Sequence, residues 1–234
     1  GQVDAVRGGE QPLERRGVRR RALLEGGEDG AAVVVDDHDR EVGARLVGAE
    51  PVASDDPDAW PAHTRLVWVN SPGNPDGRVL SVEQLARAVE RARQLGAVIA
   101  SDECYAELGW EEPWDAVRVP SVLDPAVIGD DLTSVLSVYS LSKQSNLAGY
   151  RAAFVAGDEN LISRLLTGRK HLGLMPPAPV QRAMTVALED DAHVAEQRAR
   201  YARRRATLKP AVEAAGFTID HSEAGLYLWA TEGR

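Results

Sequence analysis

Residues 65–103 read RLVWVNSPGNPDGRVLSVEQLARAVERARQLGAVIASDE, and the succession of patterns in that stretch sets the fold class. Arg65-Leu66-Val67-Trp68-Val69-Asn70 is a short apolar run that stops at Asn-Ser-Pro-Gly-Asn-Pro-Asp-Gly, a dense turn signal. Ser81-Val82-Glu83-Gln84 then matches a capping box, and Leu85, Val89, Ala92 and Leu95 follow at helical spacing. Gly96 is placed to end that helix. Ala97-Val98-Ile99-Ala100 reads as a buried strand running straight into Ser101-Asp102-Glu103. Strand, helix and strand joined this tightly predict a right-handed crossover in a parallel sheet.

The pattern extends downstream. Ser134–Tyr139 predicts a strand, Ser140–Asn146 a polar turn, and Ala152–Ala156 another strand. Helices are expected over Leu161–Lys170, Ala178–Leu188 and the arginine-rich Ala192–Ala215. Phe217–Asp220 and Leu226–Trp229 read as strands of a smaller α+β domain. Upstream the signal weakens. The basic run Arg15–Arg21 reads as a solvated face, and Ala31–Val35 is strand-like, ended by Asp36-Asp37-His38-Asp39-Arg40. The expected architecture is α/β, a mostly parallel sheet flanked by helices. Its expected divisions are a poorly matching segment 1–40, a large domain 41–190, and an incomplete small α+β domain 191–234.

Composition narrows the function. Among 234 residues, 27 basic and 36 acidic side chains leave a formal net charge of −9, which argues against nucleic acid or an anionic membrane surface as partner. No apolar run approaches the roughly 20 residues of a bilayer span. No basic patch followed by an apolar stretch opens the chain, so a soluble, cytoplasmic protein is expected. The single cysteine, Cys104, has no partner for an internal disulfide and reads as a packing residue. His38, His63, His171, His193 and His221 are scattered, which argues against a metal site.

Only three lysines are present, Lys143, Lys170 and Lys209, in a background that otherwise uses arginine. A lysine kept in such a background points to a need for a primary amine. Ligands of open α/β sheets bind beyond the carboxyl ends of the strands, and four strand ends here carry polar residues. These are Asn70 to Asn74, Asp102 with Tyr105, Ser140 to Lys143, and Arg151 before its strand. Singly each reads as turn chemistry or a surface ion pair. Together they offer an amine, a carboxylate, a phenol, a carboxamide, two hydroxyls and a guanidinium, the set that pyridoxal 5'-phosphate asks of a protein.

Three motifs in order, Asn-Ser-Pro-Gly-Asn-Pro-Asp-Gly, Ser-Asp-Glu-Cys-Tyr and Ser-Leu-Ser-Lys-Gln-Ser-Asn-Leu-Ala-Gly-Tyr-Arg, resemble the class I/II aminotransferases of fold type I. The resemblance covers about Glu41 to Arg234. Asn-Leu-Ala-Gly-Tyr-Arg and Gly173–Pro177 most resemble the actinobacterial N-succinyldiaminopimelate aminotransferases. The resemblance implies that Lys143 carries the cofactor as a Schiff base and moves the substrate Cα proton. It places Asp102 against the pyridine nitrogen, and Tyr105 and Asn74 at the phenolic oxygen. It assigns Arg151, Ser140 and Ser142 to the phosphate; Glu103 reads as supporting or structural. It further implies an amino acid and a 2-oxo acid as substrates, N-succinyl-LL-2,6-diaminopimelate with 2-oxoglutarate, in lysine biosynthesis by a homodimer.

Departures from the family pattern qualify this reading. Asp76 stands where the family has threonine, and the aromatic-Pro pair expected before Glu41–Leu46 is replaced by Asp36–Arg40, leaving His38 as the one aromatic side chain there. The family's upstream phosphate loop is not recognisable, and its arginine for the substrate α-carboxylate falls beyond Arg234. A fragment is therefore expected. Two alternatives stay open: another reaction of the same cofactor such as a C–S β-lyase, and an inactive chain serving as a binding module.

Overall fold

The computed structural model describes residues 31–35 and 38–232, with side chains described from Glu41 onward beyond β1. The Arg15–Arg21 run, Asp36, Asp37 and the side chain of His38 lie outside the described residues. The first strands are β1 (Ala32–Val35), β2 (Glu50–Ala53), β3 (Thr64–Asn70) and β4 (Val98–Asp102). β5 (Val135–Ser140) and β6 (Ala153–Gly157) complete one sheet of order β2-β1-β3-β4-β5-β6. All its pairings are parallel except β5 with β6. β7 (Thr218–His221) and β8 (Trp229–Thr231) form a separate antiparallel pair. The helices are α1 (His38–Leu46), α2 (Val82–Gln94), α3 (Pro125–Ile128), α4 (Leu141–Gln144), α5 (Glu159–His171), α6 (Ala178–Leu188) and α7 (Asp191–Ala214).

The strand–helix–strand unit forms as its pattern requires. Ser81 caps α2 and its hydroxyl accepts from the Gln84 amide, while the Gln84 side chain accepts from the Ser81 amide. Gly96 takes φ +65°, a left-handed conformation that ends the helix cheaply only for a residue without Cβ. The helix buries Leu85, Ala88, Val89 and Ala92 against Val67, Ile99 and Val135 of the sheet. Leu85 and Ile99 are wholly buried, and each such side chain contributes about 2 kcal/mol of transfer free energy.

Two expectations are corrected. Ser140–Asn146 is not a plain turn, because Ser140 caps one helical turn, α4. Leu226–Trp229 is not a strand; pairing with β7 begins only at Trp229. The residues before it dock elsewhere: the Gly225 amide donates to the Leu108 carbonyl, and Trp110 Nε1 donates to the Gly225 carbonyl at 2.5 Å.

Two carboxylates bind the connections together. Glu103, 4% exposed, accepts from Ser121 Oγ (2.8 Å), Ser137 Oγ (2.9 Å) and the Val122 amide (2.7 Å). Glu111 Oε1 accepts from Arg205 (2.9 Å), Lys209 (2.6 Å) and Ser222 Oγ (2.7 Å). Burial raises the Glu111 pKa, but the hydrogen bonds from Lys209 and Ser222 and the two cations outweigh it and hold the carboxyl below its ordinary 4.5.

Glu103→Ala strands two hydroxyls and an amide in the interior and is expected to lower the unfolding free energy by about 3 kcal/mol in chemical denaturation. Glu103→Gln should cost less. Glu111 has a depressed folded pKa, so its stabilisation is complete above the ordinary carboxylate value and is lost as pH falls through the folded one. Glu111→Gln should therefore be less stable than the native chain near neutrality, with the gap closing on acidification below 4.5; denaturation midpoints across that range check the sign.

Candidate active site

Strand register brings the polar strand ends to one edge. Asn70 pairs with Asp102 across β3 and β4, and Asp102 with Val138 across β4 and β5. Ser140 ends β5 opposite Ala153 of β6. Because β6 runs against its neighbour, its amino end, and Arg151 just ahead of it, falls at the carboxyl edge of the parallel strands.

Asp102, the last residue of β4, is half-buried, and its Oδ1 accepts from the Cys104 amide at 3.3 Å. Its own carbonyl accepts from Asn70 Nδ2 (2.9 Å) and the Ser71 amide (3.1 Å). Side chains of successive strand residues alternate between faces. Glu103 thus turns its carboxylate into the interior while Asp102 presents the opposite face.

Lys143 lies in α4, and its Nζ stands 5.7 Å from the centroid of the Tyr105 ring. Tyr105 is buried and meets Tyr227 edge to face, with centroids 6.1 Å apart. Burial, then the hydrogen bond with Tyr227, pushes the Tyr105 phenol far above its ordinary pKa. The hydroxyl therefore keeps its proton. Ser140 Oγ donates to Ser142 Oγ at 2.7 Å and accepts from the Ser142 amide at 3.2 Å. Arg151 is exposed, in left-handed backbone at φ +51°, and its Nη1 donates to the Ala148 carbonyl.

Asn74 is exposed, and its amide donates to Asn70 Oδ1 at 2.8 Å. It lines a cavity of about 660 Å³ at the carboxyl ends of β1 and β3, with Asn70, Trp60, Trp68 and Trp229. Strand order reverses between those two strands, the usual ligand position in an open α/β sheet. Asp102, Tyr105 and Lys143 do not line this cavity. The structure thus brings Lys143 to Tyr105 and Ser140 to Ser142, and sets Asn74 in a neighbouring hollow. The following turn is held closely: Gly77 has φ +74° and a Cβ there would lie 2.7 Å from the Ala224 carbonyl oxygen.

Residues that the sequence did not single out also reach this edge. Tyr227 packs on Tyr105, Tyr201 OH donates to the Lys143 carbonyl at 3.3 Å, and His193 Nε2 lies 2.9 Å from Ser145 Oγ. They arrive from α7 and the segment before β8, and no local pattern marks them. Among the described residues no group of three or more His, Cys, Asp or Glu side chains could hold a metal ion, and no helix is long and apolar enough to cross a membrane.

The chain matches the family model for aminotransferase class I and II over residues 47–231. It is 54% identical over 194 residues to a probable aminotransferase of Mycobacterium tuberculosis, covering 82% of this chain and 45% of that protein. It is equally identical, over the same length, to the 4-dedimethylamino-4-oxo-anhydrotetracycline transaminase of Streptomyces rimosus, covering 53% of it. The chain thus spans about half the length of these curated relatives. Among solved structures, an aminotransferase from Neisseria meningitidis aligns with a TM-score of 0.76 at 30% identity, over 86% of this chain and 54% of that one. The N-succinyldiaminopimelate aminotransferase of M. tuberculosis shares the fold, with a TM-score of 0.72 at 24% identity over 84% of this chain and 53% of that one. With the lysine, the aspartate and the tyrosine gathered at one edge of a sheet of this topology, the chain belongs to the class I and II aminotransferases.

Proposed function

We propose that the whole protein is a pyridoxal-phosphate-dependent aminotransferase that moves an amino group between an amino acid and a 2-oxo acid. The observation that carries this reading is the approach of Lys143 Nζ to the buried Tyr105 ring, 5.7 Å from its centroid, at the strand edge ended by Asp102. The donor set fits the cofactor: a primary amine, a carboxylate, a phenol that keeps its proton, paired hydroxyls and a guanidinium. Bound pyridoxal phosphate supplies the electron sink that makes the substrate Cα–H acidic.

The chain's own groups do the rest. Lys143 Nζ would hold the cofactor and, once released, would carry the proton between the substrate Cα and the cofactor, a task guanidinium cannot perform. Asp102 would sit against the ring nitrogen and favour its protonated form. Tyr105 O–H and the Asn74 carboxamide would donate to the phenolic oxygen. Ser140, Ser142 and Arg151 bind the phosphate, the last through charge-assisted bonds. In this reading residues 41–190 are the cofactor-binding large domain, 191–234 begin a smaller one, and the whole protein works as a cytoplasmic homodimer.

For substrates we infer N-succinyl-LL-2,6-diaminopimelate with 2-oxoglutarate, a reading supported by the Asn146–Arg151 and Gly173–Pro177 segments. A second reading has its own support. The S. rimosus relative, 54% identical, is named as a 4-dedimethylamino-4-oxo-anhydrotetracycline transaminase, and Trp68 and Trp229 line the cavity beside Asn74. Planar rings stack well on such aromatic walls.

Pyridoxal phosphate added to the purified chain, followed by borohydride and peptide mass mapping, is expected to label Lys143. Lys143→Arg should abolish the label. Label confined to Lys170 or Lys209, or none on a folded chain, overturns the assignment. In the full-length protein, turnover dependent on a 2-oxo acid is expected, whereas release of ammonia and pyruvate would assign a β-lyase.

A further inference from the structure

We infer that helix α7 is a splint for the Lys143 turn, with His193 and Tyr201 as positioning residues. The inference rests on Lys143 carrying the cofactor, as proposed above, and adds two residues that act on it from another element.

α4 is a single helical turn, too short to be stable on its own hydrogen bonds. Its carboxyl end is held from outside. Tyr201 OH donates to the Lys143 carbonyl at 3.3 Å. Two residues after Lys143, Ser145 Oγ meets His193 Nε2 at 2.9 Å, while His193 Nδ1 lies 3.3 Å from Asp190 Oδ2. Asp190 is itself fixed as the cap of α7, its Oδ1 accepting from the Ala192 and His193 amides.

With His193 in the tautomer that carries its proton on Nδ1, toward Asp190, Nε2 accepts from the Ser145 hydroxyl. Ser145 Oγ can then accept from Gln144 Nε2, at 3.2 Å, and Gln144 Oε1 accepts from Tyr139 OH, at 2.5 Å. A continuous chain of hydrogen bonds thus runs from the start of α7, past both residues that follow Lys143, to β5.

The same helix grips the Tyr105 side of the site. Arg198 Nη2 donates to the Gly109 carbonyl at 2.5 Å, and its guanidinium lies 5.1 Å from the Trp110 ring centroid. Arg205 and Lys209 bind Glu111 on that loop. A helix is stiff over this length, so anchors on both sides fix the spacing between the Lys143 amine and the Tyr105 phenol. A displacement of about 1 Å at such a site can cost on the order of a hundredfold in rate.

The test uses the complete chain carrying His193→Ala, Tyr201→Phe or both, with His193→Gln as the conservative variant whose amide can still meet Ser145 Oγ. Without cofactor, amide exchange across residues 141–147 should quicken about tenfold in the double variant, the effect of losing roughly one net hydrogen bond, while residues 135–139 of β5 keep their native rate. With cofactor, the pH midpoint of its bound absorbance band should shift in His193→Ala and return in His193→Gln. Unchanged exchange at 141–147 overturns the inference, as does a uniform rise that includes β5, which would mark a general loss of stability. A native chain that takes no label on Lys143 counts against the cofactor reading alone, because the exchange measurement needs no cofactor.

Discussion

The active edge depends on how one buried carboxylate is satisfied. An ionised group taken out of water must recover its hydrogen bonds from the protein. Glu103 recovers three, from Ser137 on β5 and from Ser121 and the Val122 amide on the connection that precedes it. Two stretches of chain therefore converge on the residue immediately after β4. Its amide extends the ladder by donating to the Val138 carbonyl at 2.9 Å. With the strand end fixed on the interior side, Asp102 is held on the other side, and the chain leaves toward Tyr105 in one direction only.

Much of this was legible because the signals were local. The capping box at Ser81, the apolar spacing of α2 and the turn-ended strand at Asn70 each lie within one element, and each formed as expected. Lys143, Asp102, Tyr105 and Ser140 were legible as polar groups at strand ends. β2 was not. Glu50-Pro51-Val52-Ala53 is an edge strand without clean alternation, and its proline is tolerated only at such a margin. The displaced start of β8 has a tertiary cause, since Gly225 spends its amide on Leu108. His193 and Tyr201 touch the lysine turn across 48 and 58 residues of sequence, a separation at which no spacing rule speaks.

α7 carries arginines at 198, 200, 203, 204 and 205. Directed polar contacts tie it to Gly109, Glu111, Ser145, Ser222 and the Lys143 carbonyl. Such contacts have a geometry as well as a strength, so they specify where the helix sits. An oily contact of the same area would let it slide.

The pleat of β4 carries a constraint of its own. Asp102 and Glu103 are chemically near-twins that do opposite work, because adjacent positions on an extended chain face away from each other. Losing or gaining one residue within Val98–Asp102 would exchange them, presenting the longer acid on the face that Asp102 now occupies and leaving the shorter one to span the gap to Ser121 and Ser137. β4 can therefore drift in composition but not in length.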